Sequence, residues 1–327
     1  MLPPDISIVV CTQNRAAMLR GALKSLAQLE TDQRFTYEVV VVDNASSDAT
    51  PQTIAAAAAD SRGLVRGVSE PVKGIVAARN RGIREARGQW IAFFDDDQLA
   101  DARWLAELYE GALARGARVA GGSVLLAFPD GCSRRLHPTV RMLLGEADFS
   151  DEPTPYGGRL TPGCGNLIIE RTVFDEVGVF ERTVSGRGED TDLFSRIERA
   201  GIQAWYLPRA IVHHLTPAER LTPDYLLSLA RRMGEGIALR QQGGLSDGRF
   251  ALLWLAKALR LGLVQWPLLA CAQLTGTGEA SLGRRCLVEI NRSLLRSSAP
   301  RVLPRFFWKT SSAALPALPS PTKVQPL

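Results

Sequence analysis

The first hundred residues alternate two kinds of apolar pattern. Residues 6–11 (Ile-Ser-Ile-Val-Val-Cys), 37–43 (Tyr-Glu-Val-Val-Val-Val-Asp), 64–68 and 90–95 (Trp-Ile-Ala-Phe-Phe-Asp) are short, nearly continuous apolar runs. Between them, residues 16–29, 48–59 and 74–86 read as helices, the first with Leu19, Leu23 and Leu26 at helical spacing. Ser47 or Asp48 can cap the second helix. A strand without polar alternation is buried on both faces. Short strands, each followed by a helix, therefore predict an α/β fold with a mostly parallel sheet flanked by helices.

The pattern changes twice further on. Residues 119–128 and 164–169 read as strands, 172–177 and 190–200 as helices, and 205–207 and 210–213 as two short strands. Residues 133–162 mix Gly, Pro and charge and read as a loop-rich insertion. Beyond residue 220 the strand patterns stop, which predicts a helical C-terminal appendage. Residues 224–240 are helical, Ser246-Asp247-Gly248 offers a helix start, and 250–269 are strongly apolar with Lys257 and Arg260 embedded. The longest uncharged run, 261–278, contains Pro267, which makes it marginal as a membrane span. Arg249, Lys257 and Arg260 fall within about 80° of one another on a helical wheel. A narrow cationic stripe on an apolar helix fits a segment lying in a membrane interface. It equally fits a helix packed on the rest of the chain with its cations in water. Residues 297–327, rich in Pro, Ser and Ala, are expected to be disordered.

Composition narrows the class. With 327 residues there is room for one large domain and an appendage. A chain that is 46% hydrophobic and 22% charged is neither disordered throughout nor collagen-like. Five cysteines without a CxxC or a His/Cys cluster argue against a zinc site or a disulfide framework, and for a reducing compartment. Met1-Leu2-Pro3-Pro4-Asp5 has neither a basic nor an apolar leader pattern, so no signal peptide is expected. The net charge of +5 conceals an asymmetry: residues 1–250 hold 29 Lys/Arg and 32 Asp/Glu, whereas 251–327 hold 10 and 2. A basic tail suits an anionic membrane surface or a nucleic acid. Nothing in it resembles a nucleic-acid module, so the membrane surface is the preferred partner and no nucleic acid is expected.

The candidate chemistry sits at the strand ends. In an open parallel sheet, ligands bind beyond the carboxyl ends of the strands. Three predicted strands end in Cys11-Thr-Gln-Asn-Arg15, Asp43-Asn-Ala-Ser-Ser-Asp48 and Asp95-Asp96-Asp97, so one crevice would have three walls. Three adjacent carboxylates repel one another unless a cation is bound. In extended backbone Asp95 and Asp97 share a face, and a hard divalent cation takes such oxygens together with substrate phosphates. A solvated acidic turn would look the same. Asp43 can accept from a base or a ribose, or simply form a turn. Lys73-Gly74 and Ala78-Arg79-Asn80-Arg81-Gly82 line the helix before the triplet, their cations facing phosphates or water. A second acidic cluster, Gly186-Arg-Gly-Glu189-Asp190-Thr-Asp192, opens a helix, where the dipole favours negative charge. Gly163-Cys-Gly165-Asn166 is a tight loop that could wall a second substrate's pocket. His213-His214 can complete a metal shell or serve a structural role.

In this order, the blocks resemble the family 2 glycosyltransferases with the GT-A fold, of bacterial type. The matching pieces are Ile8-Val-Val-Cys-Thr12-Gln-Asn14-Arg15, Val41-Val-Asp43-Asn-Ala-Ser-Ser-Asp48, Gly74 with Ala78-Arg79-Asn80-Arg81-Gly82, Phe94-Asp95-Asp96-Asp97, Gly165-Asn166 and Gly188-Glu189-Asp190-Thr-Asp192-Leu193. They cover residues 5–236. The family often has Pro where this chain has Ala100, but the Trp104-Leu105 that usually follows is present. The resemblance implies a GT-A catalytic domain over 1–220, with a nucleotide-binding part at 1–100 and an acceptor part at 101–220. Beyond it come a helical region at 221–296, either membrane-associated or packed on the rest of the chain, and the tail 297–327.

It further implies that Thr12, Asn14, Arg15, Asp43, Gly74, Arg79, Asn80, Asp95 and Asp96 bind a nucleoside diphosphate sugar. Asp97 and His214 would hold Mg²⁺ or Mn²⁺, His214 being favoured over His213 by an Ala-x-Val-x-His pattern. Asp190 would be the catalytic base, and Glu189 and Asn166 would bind the acceptor, a glycan or a lipid-linked hydroxyl. Arg220, Tyr225 and Arg232 follow at spacings familiar from one bacterial branch. The implied function is inverting sugar transfer in cell-envelope or extracellular polysaccharide or glycolipid synthesis. The implied location is cytoplasmic, peripheral on the inner face of the membrane. Two alternatives stand beside it. One is a non-catalytic nucleotide-sugar-binding or scaffold subunit of a polysaccharide assembly complex. The other is a nucleotidyltransferase, which usually carries a Gly-rich loop with Lys or Arg near the first strand that Cys11-Thr-Gln-Asn-Arg15 lacks.

Overall fold

The computed structural model describes residues 3–128, 135–157, 160–181, 188–241, 246–275 and 278–302. It divides into two units, Met1–Leu226 and Leu227–Leu327. The division falls a few residues beyond 220, and Leu226 at its edge is almost wholly buried.

The first unit opens with the expected alternation: β1 (Ile6–Thr12), α1 (Ala16–Leu26), β2 (Tyr37–Asp43), α2 (Thr50–Asp60), β3 (Val65–Ser69), α3 (Ile75–Glu85) and β4 (Trp90–Asp95). The strands lie in the order β3-β2-β1-β4, all parallel. Alternate residues feed two cores. Ile8, Val10, Val39, Val41 and Phe94 pack with Leu19, Leu23 and Leu26 of α1 on one face. Val9, Val40, Val42 and Phe93 pack with Ala78 and Ile83 of α3 on the other. Burial on both faces accounts for the unbroken valine runs.

The remainder of the unit adds β5 (Gln98–Ala100), α4 (Trp104–Leu113), β6 (Val119–Ala127), α5 (Pro138–Leu143), β7 (Thr154–Pro155), β8 (Asn166–Glu170), α6 (Arg171–Val177), α7 (Glu189–Arg199) and β9 (Ala204–Leu215). β8 lies between β4 and β6 and is antiparallel to both. β9 runs parallel to β6, while β5 and β7 pair antiparallel with β9. The sheet is thus parallel through the first four strands and mixed beyond them.

One sequence expectation changes here. The short strands expected at 205–207 and 210–213 are one strand, β9. Its register slips opposite β6, where Gly122 pairs with Leu207 but Ser123 with Ile211. Pro208 has no N–H to donate to a ladder, so the chain bulges there and then resumes. β5, for which no expectation was made, is too short to leave a pattern of its own.

The second unit is helical. α8 (Pro223–Gln241) leads into it, followed by α9 (Asp247–Arg260), a π-helical turn at Leu261–Gln265, α10 (Trp266–Thr275) and α11 (Gly278–Val302). Pro267 in the first turn of α10 follows the widened turn directly, a common way for a helix to absorb a missing N–H. Asp247–Leu274 is long and apolar enough to cross a membrane by length and composition. Residues 297–302, expected to begin a disordered tail, continue α11. Ser298 there hydrogen-bonds back to the Leu294 carbonyl at 2.5 Å and is buried with Ala299. A serine-rich stretch reads as disorder by composition, yet its hydroxyls can bond within a helix. The rest of that tail, 303–327, lies outside the described residues.

Candidate active site

β1 and β4 end level with each other, because Cys11 pairs with Asp95, and Thr12 pairs with Asp43 on β2. The chain leaves β4 at Asp95, turns through Asp96 and Asp97, and returns as β5 with Gln98 opposite His214. The Leu215 N–H donates to the Asp97 carbonyl at 2.9 Å. This tie between the turn and β9 sets His214 Nε2 3.5 Å from Asp97 Oδ2.

The partners of His214 fix its proton. Nδ1 lies 2.9 Å from the Leu144 carbonyl, and Nε2 lies 3.1 Å from Arg220 Nη1. A carbonyl only accepts and a guanidinium only donates, so in the neutral imidazole these partners select the tautomer with its proton on Nδ1 and its Nε2 lone pair free to face the space beside Asp97. Arg220 Nη2 also reaches Asp97 Oδ2, at 3.1 Å. Arg15 Nη1 bridges Asp96 Oδ1 at 2.7 Å and Asp97 Oδ2 at 3.0 Å. A cleft of about 410 Å³ opens over these groups, with Thr12, Asn44, Gly74 and Asp95 in its walls.

The three carboxylates differ electrostatically. Burial pushes the Asp97 carboxyl up, but the neighbouring His214 and the guanidinium charges of Arg15 and Arg220 outweigh it and hold the group well below the usual carboxylate range. Asp95 and Asp96 are shifted upward, mainly by burial and further by their acidic neighbours, against the opposing pull of Arg79 on Asp95 and of Thr12 and Arg15 on Asp96. Of the triplet, Asp97 is the member whose charged form its surroundings favour.

That pair suits a hard divalent cation. Two ligands at right angles around a cation with bonds of about 2.1 Å stand about 3 Å apart, close to the observed Asp97–His214 separation. A backbone carbonyl on the far nitrogen is the usual outer partner of a metal-bound imidazole. Among the described residues no group of three or more His, Cys, Asp and Glu forms a metal cage. Asp97 and His214 would contribute two ligands and leave the others to substrate and water.

The other expected site residues fall into distinct places. Gly74 lines the cleft with φ of 126°, and its N–H donates to Asn44 Oδ1 at 2.7 Å. Asn44, not singled out from the sequence, also donates to the Glu70 and Val72 carbonyls at 3.0 and 2.7 Å. It holds the loop before α3 over the strand ends. Asn14, with φ of 53°, accepts from the Ser47 N–H at 2.7 Å and is exposed, so it braces two loops against each other. Asp43 Oδ1 accepts from the Ser46 N–H at 3.1 Å at the end of β2.

Asn80 and Asn166 face elsewhere. Asn80 exchanges two hydrogen bonds with the Phe180 backbone. Asn166 is 2% exposed; its amide donates to the Ser123 and Ala210 carbonyls and accepts from the Trp104 indole, each at 2.8 Å. All its strong hydrogen-bonding groups are engaged inside the fold, joining β8, β6, β9 and α4. Sequence pattern cannot separate such a structural amide from one that faces a ligand.

Arg79 does not line the cleft. It is 9% exposed, stacks over Phe180, and its Nη1 lies 2.7 Å from Glu189 Oε1 at the start of α7. Asp190 follows in the same first turn, its Oδ1 accepting from the Thr191 N–H at 2.7 Å. Gly188 precedes the helix with φ of 88°, a left-handed conformation that suits glycine. The buried Cys164 thiol senses both acidic clusters. Burial raises it most, Arg79 lowers it, and Asp190, Asp95 and Glu189 raise it further. Gly165, next to it, passes so close to Asp95 that a Cβ there would overlap the carboxylate. Arg220, noted in the sequence without a role, is the remaining residue of the site.

Open parallel strands with carboxylates at their ends, extended by an antiparallel segment that returns beside them, make the GT-A arrangement. A mannosyltransferase from Pyrobaculum calidifontis, solved with GDP-Man and Mn²⁺, superposes with a TM-score of 0.58 at 20% identity, over 95% of this chain and 89% of its own. The Glycosyl transferase family 2 model matches residues 7–178. The succinoglycan biosynthesis protein ExoM of Rhizobium meliloti (strain 1021) is 30% identical over 248 residues, 70% of this chain and 73% of that one. ExoO of the same organism is 40% identical over 134 residues, 41% of this chain and 37% of its own. The chain belongs to glycosyl transferase family 2, among relatives of bacterial polysaccharide biosynthesis.

Proposed function

We propose that the protein transfers a sugar, with inversion, from a nucleoside diphosphate sugar to an acceptor hydroxyl. The observation that carries the reading is the approach of Asp97 Oδ2 to His214 Nε2, 3.5 Å apart, at the carboxyl end of the parallel strands. Asp97 and His214 would hold Mg²⁺ or Mn²⁺; the mannosyltransferase of similar fold was itself solved with Mn²⁺. When bound, the cation neutralises charge building on the leaving diphosphate. Arg15, Thr12 and the Gly74 backbone line the space for the nucleotide.

Asp190 accepts the proton of the acceptor hydroxyl while that oxygen attacks the anomeric carbon. The bond from the anomeric carbon to the diphosphate oxygen breaks, and the diphosphate leaves on the opposite face. Reach to the hydroxyl matters more for this base than a displaced pKa. The acceptor is a glycan or a lipid-linked saccharide of a cell-envelope or extracellular polysaccharide, and the enzyme works in the cytoplasm against the inner face of the membrane. The direct test is Asp190→Asn. Donor binding, read as the rise in Tm with a panel of sugar nucleotides and Mn²⁺, is expected to persist. Transfer is expected to fall by about 10²-fold or more. Equal turnover would remove Asp190 from the role.

A further inference from the structure

The helical unit leaves one face of its longest apolar helix in the open. Along Asp247–Leu274, Phe250, Gln265, Leu269 and Ala272 are buried, and Trp254, Ala258 and Leu261 pack against Ala238, Leu294 and Leu295. These seven positions recur every three or four residues and form the inward stripe. A second stripe with the same spacing points outward: Leu252, Leu255, Leu259, Leu263 and Trp266 are 69%, 51%, 53%, 74% and 49% exposed. It extends about 20 Å along the helix. A contiguous apolar strip of this length on a soluble surface marks a binding face.

We propose that this outward stripe inserts into the headgroup–acyl boundary of an anionic membrane, with the helix lying flat and not crossing it. The proposal deepens the membrane-peripheral part of the functional reading and does not depend on the transfer chemistry. Charge selects the occupant. Residues 227–327 carry 14 Lys/Arg against 4 Asp/Glu. Arg249 and Arg260 are exposed on the helix that bears the stripe, and Arg285, Arg292 and Arg296 are within ~40° of one another on the exposed face of α11. Such a surface attracts acidic lipid and repels a second copy of itself.

Packing selects the orientation. α11 lies against α9, where the Trp254 indole N–H donates to the Leu295 carbonyl at 3.0 Å. α11 carries Arg284, Arg285, Glu289, Arg292, Arg296 and Arg301 along its length. A crossing by Asp247–Leu274 would either carry those charges into hydrocarbon or strip α11 away and expose the inward stripe. Lying in the interface leaves both the pairing and the charges in place.

Full-length protein mixed with phosphatidylcholine vesicles, with and without phosphatidylglycerol, tests this by co-sedimentation. Binding is expected to be about tenfold stronger with the acidic lipid, to weaken in high salt, and to be reversed by alkaline carbonate. Leu255→Ser with Leu259→Ser should lower binding about tenfold or more, while the donor-induced rise in Tm is unchanged. Trp266 fluorescence should be quenched by bromines placed shallow in the acyl chain more than by deep ones, relative to Trp266→Phe. Carbonate-resistant binding with deep quenching would mean a span and overturn the proposal. Unchanged binding by the double serine variant would also overturn it. So would a dimer that this variant dissolves, found together with no vesicle binding. Loss of the donor response in the wild type, with vesicle binding intact, would count against the functional reading alone.

Discussion

The guanidinium of Arg79 lies 2.7 Å from the carboxylate of Glu189, 110 residues away in sequence, with both side chains nearly buried. This pair joins the helix that precedes Asp95–Asp97 to the helix that carries Asp190. Breaking it from one side leaves a buried charge without its partner. Arg79→Met is therefore expected to destabilise the fold by about 3 kcal/mol, measured by urea unfolding. Arg79→Met with Glu189→Gln should recover much of that loss. A single variant as stable as wild type would mean that the pair does not hold α7.

Arg220 contests the position that a cation would take, since it touches both His214 Nε2 and Asp97 Oδ2. Arg220→Met is expected to raise the affinity of the donor-free protein for Mn²⁺ about tenfold, or about 1.4 kcal/mol, by titration calorimetry. Asp97→Asn should abolish that binding. Weaker Mn²⁺ binding in Arg220→Met would assign the guanidinium a supporting role instead.

Glu38 gives the fold an acid-sensitive contact away from the site. It accepts from Ser7 Oγ at 2.7 Å, Arg66 Nε at 2.9 Å and the Arg87 N–H at 2.9 Å. Burial raises its carboxyl, but the Arg66, Ser7 and Arg87 hydrogen bonds prevail and lower it below the ordinary 4.5. A depressed folded-state pKa adds stability that is fully present above the unfolded value and lost as pH falls through the folded one. Stability measured from pH about 6 down to about 3 should therefore fall less steeply in Glu38→Gln than in wild type. Parallel curves would show that Glu38 does not contribute.

Much of the first unit was legible because its strands are buried on both faces. The valine and phenylalanine runs at 39–42 and 91–94 leave little alternative, and the polar residues that follow mark the cleft. Asp97 and His214 could be paired only through the family resemblance. Their contact depends on β5, three residues long, and on the register of β9. Asn166 shows the converse: it sits within a recognisable block, yet its amide ties four elements together. The helical unit was harder to place, since an apolar helix with three cations looks alike in a core and at a membrane until its buried face is known.

In the proposed reaction, Asp97 and His214 hold a divalent cation against the donor diphosphate. Anomalous scattering from crystals grown with Mn²⁺ and a nucleoside diphosphate measures this directly. One manganese peak bonded to both Asp97 Oδ2 and His214 Nε2 is expected, with Arg220 displaced and phosphate oxygens completing the shell. Ordered diphosphate in the cleft with no metal at these two atoms, or with manganese bound elsewhere, would contradict it.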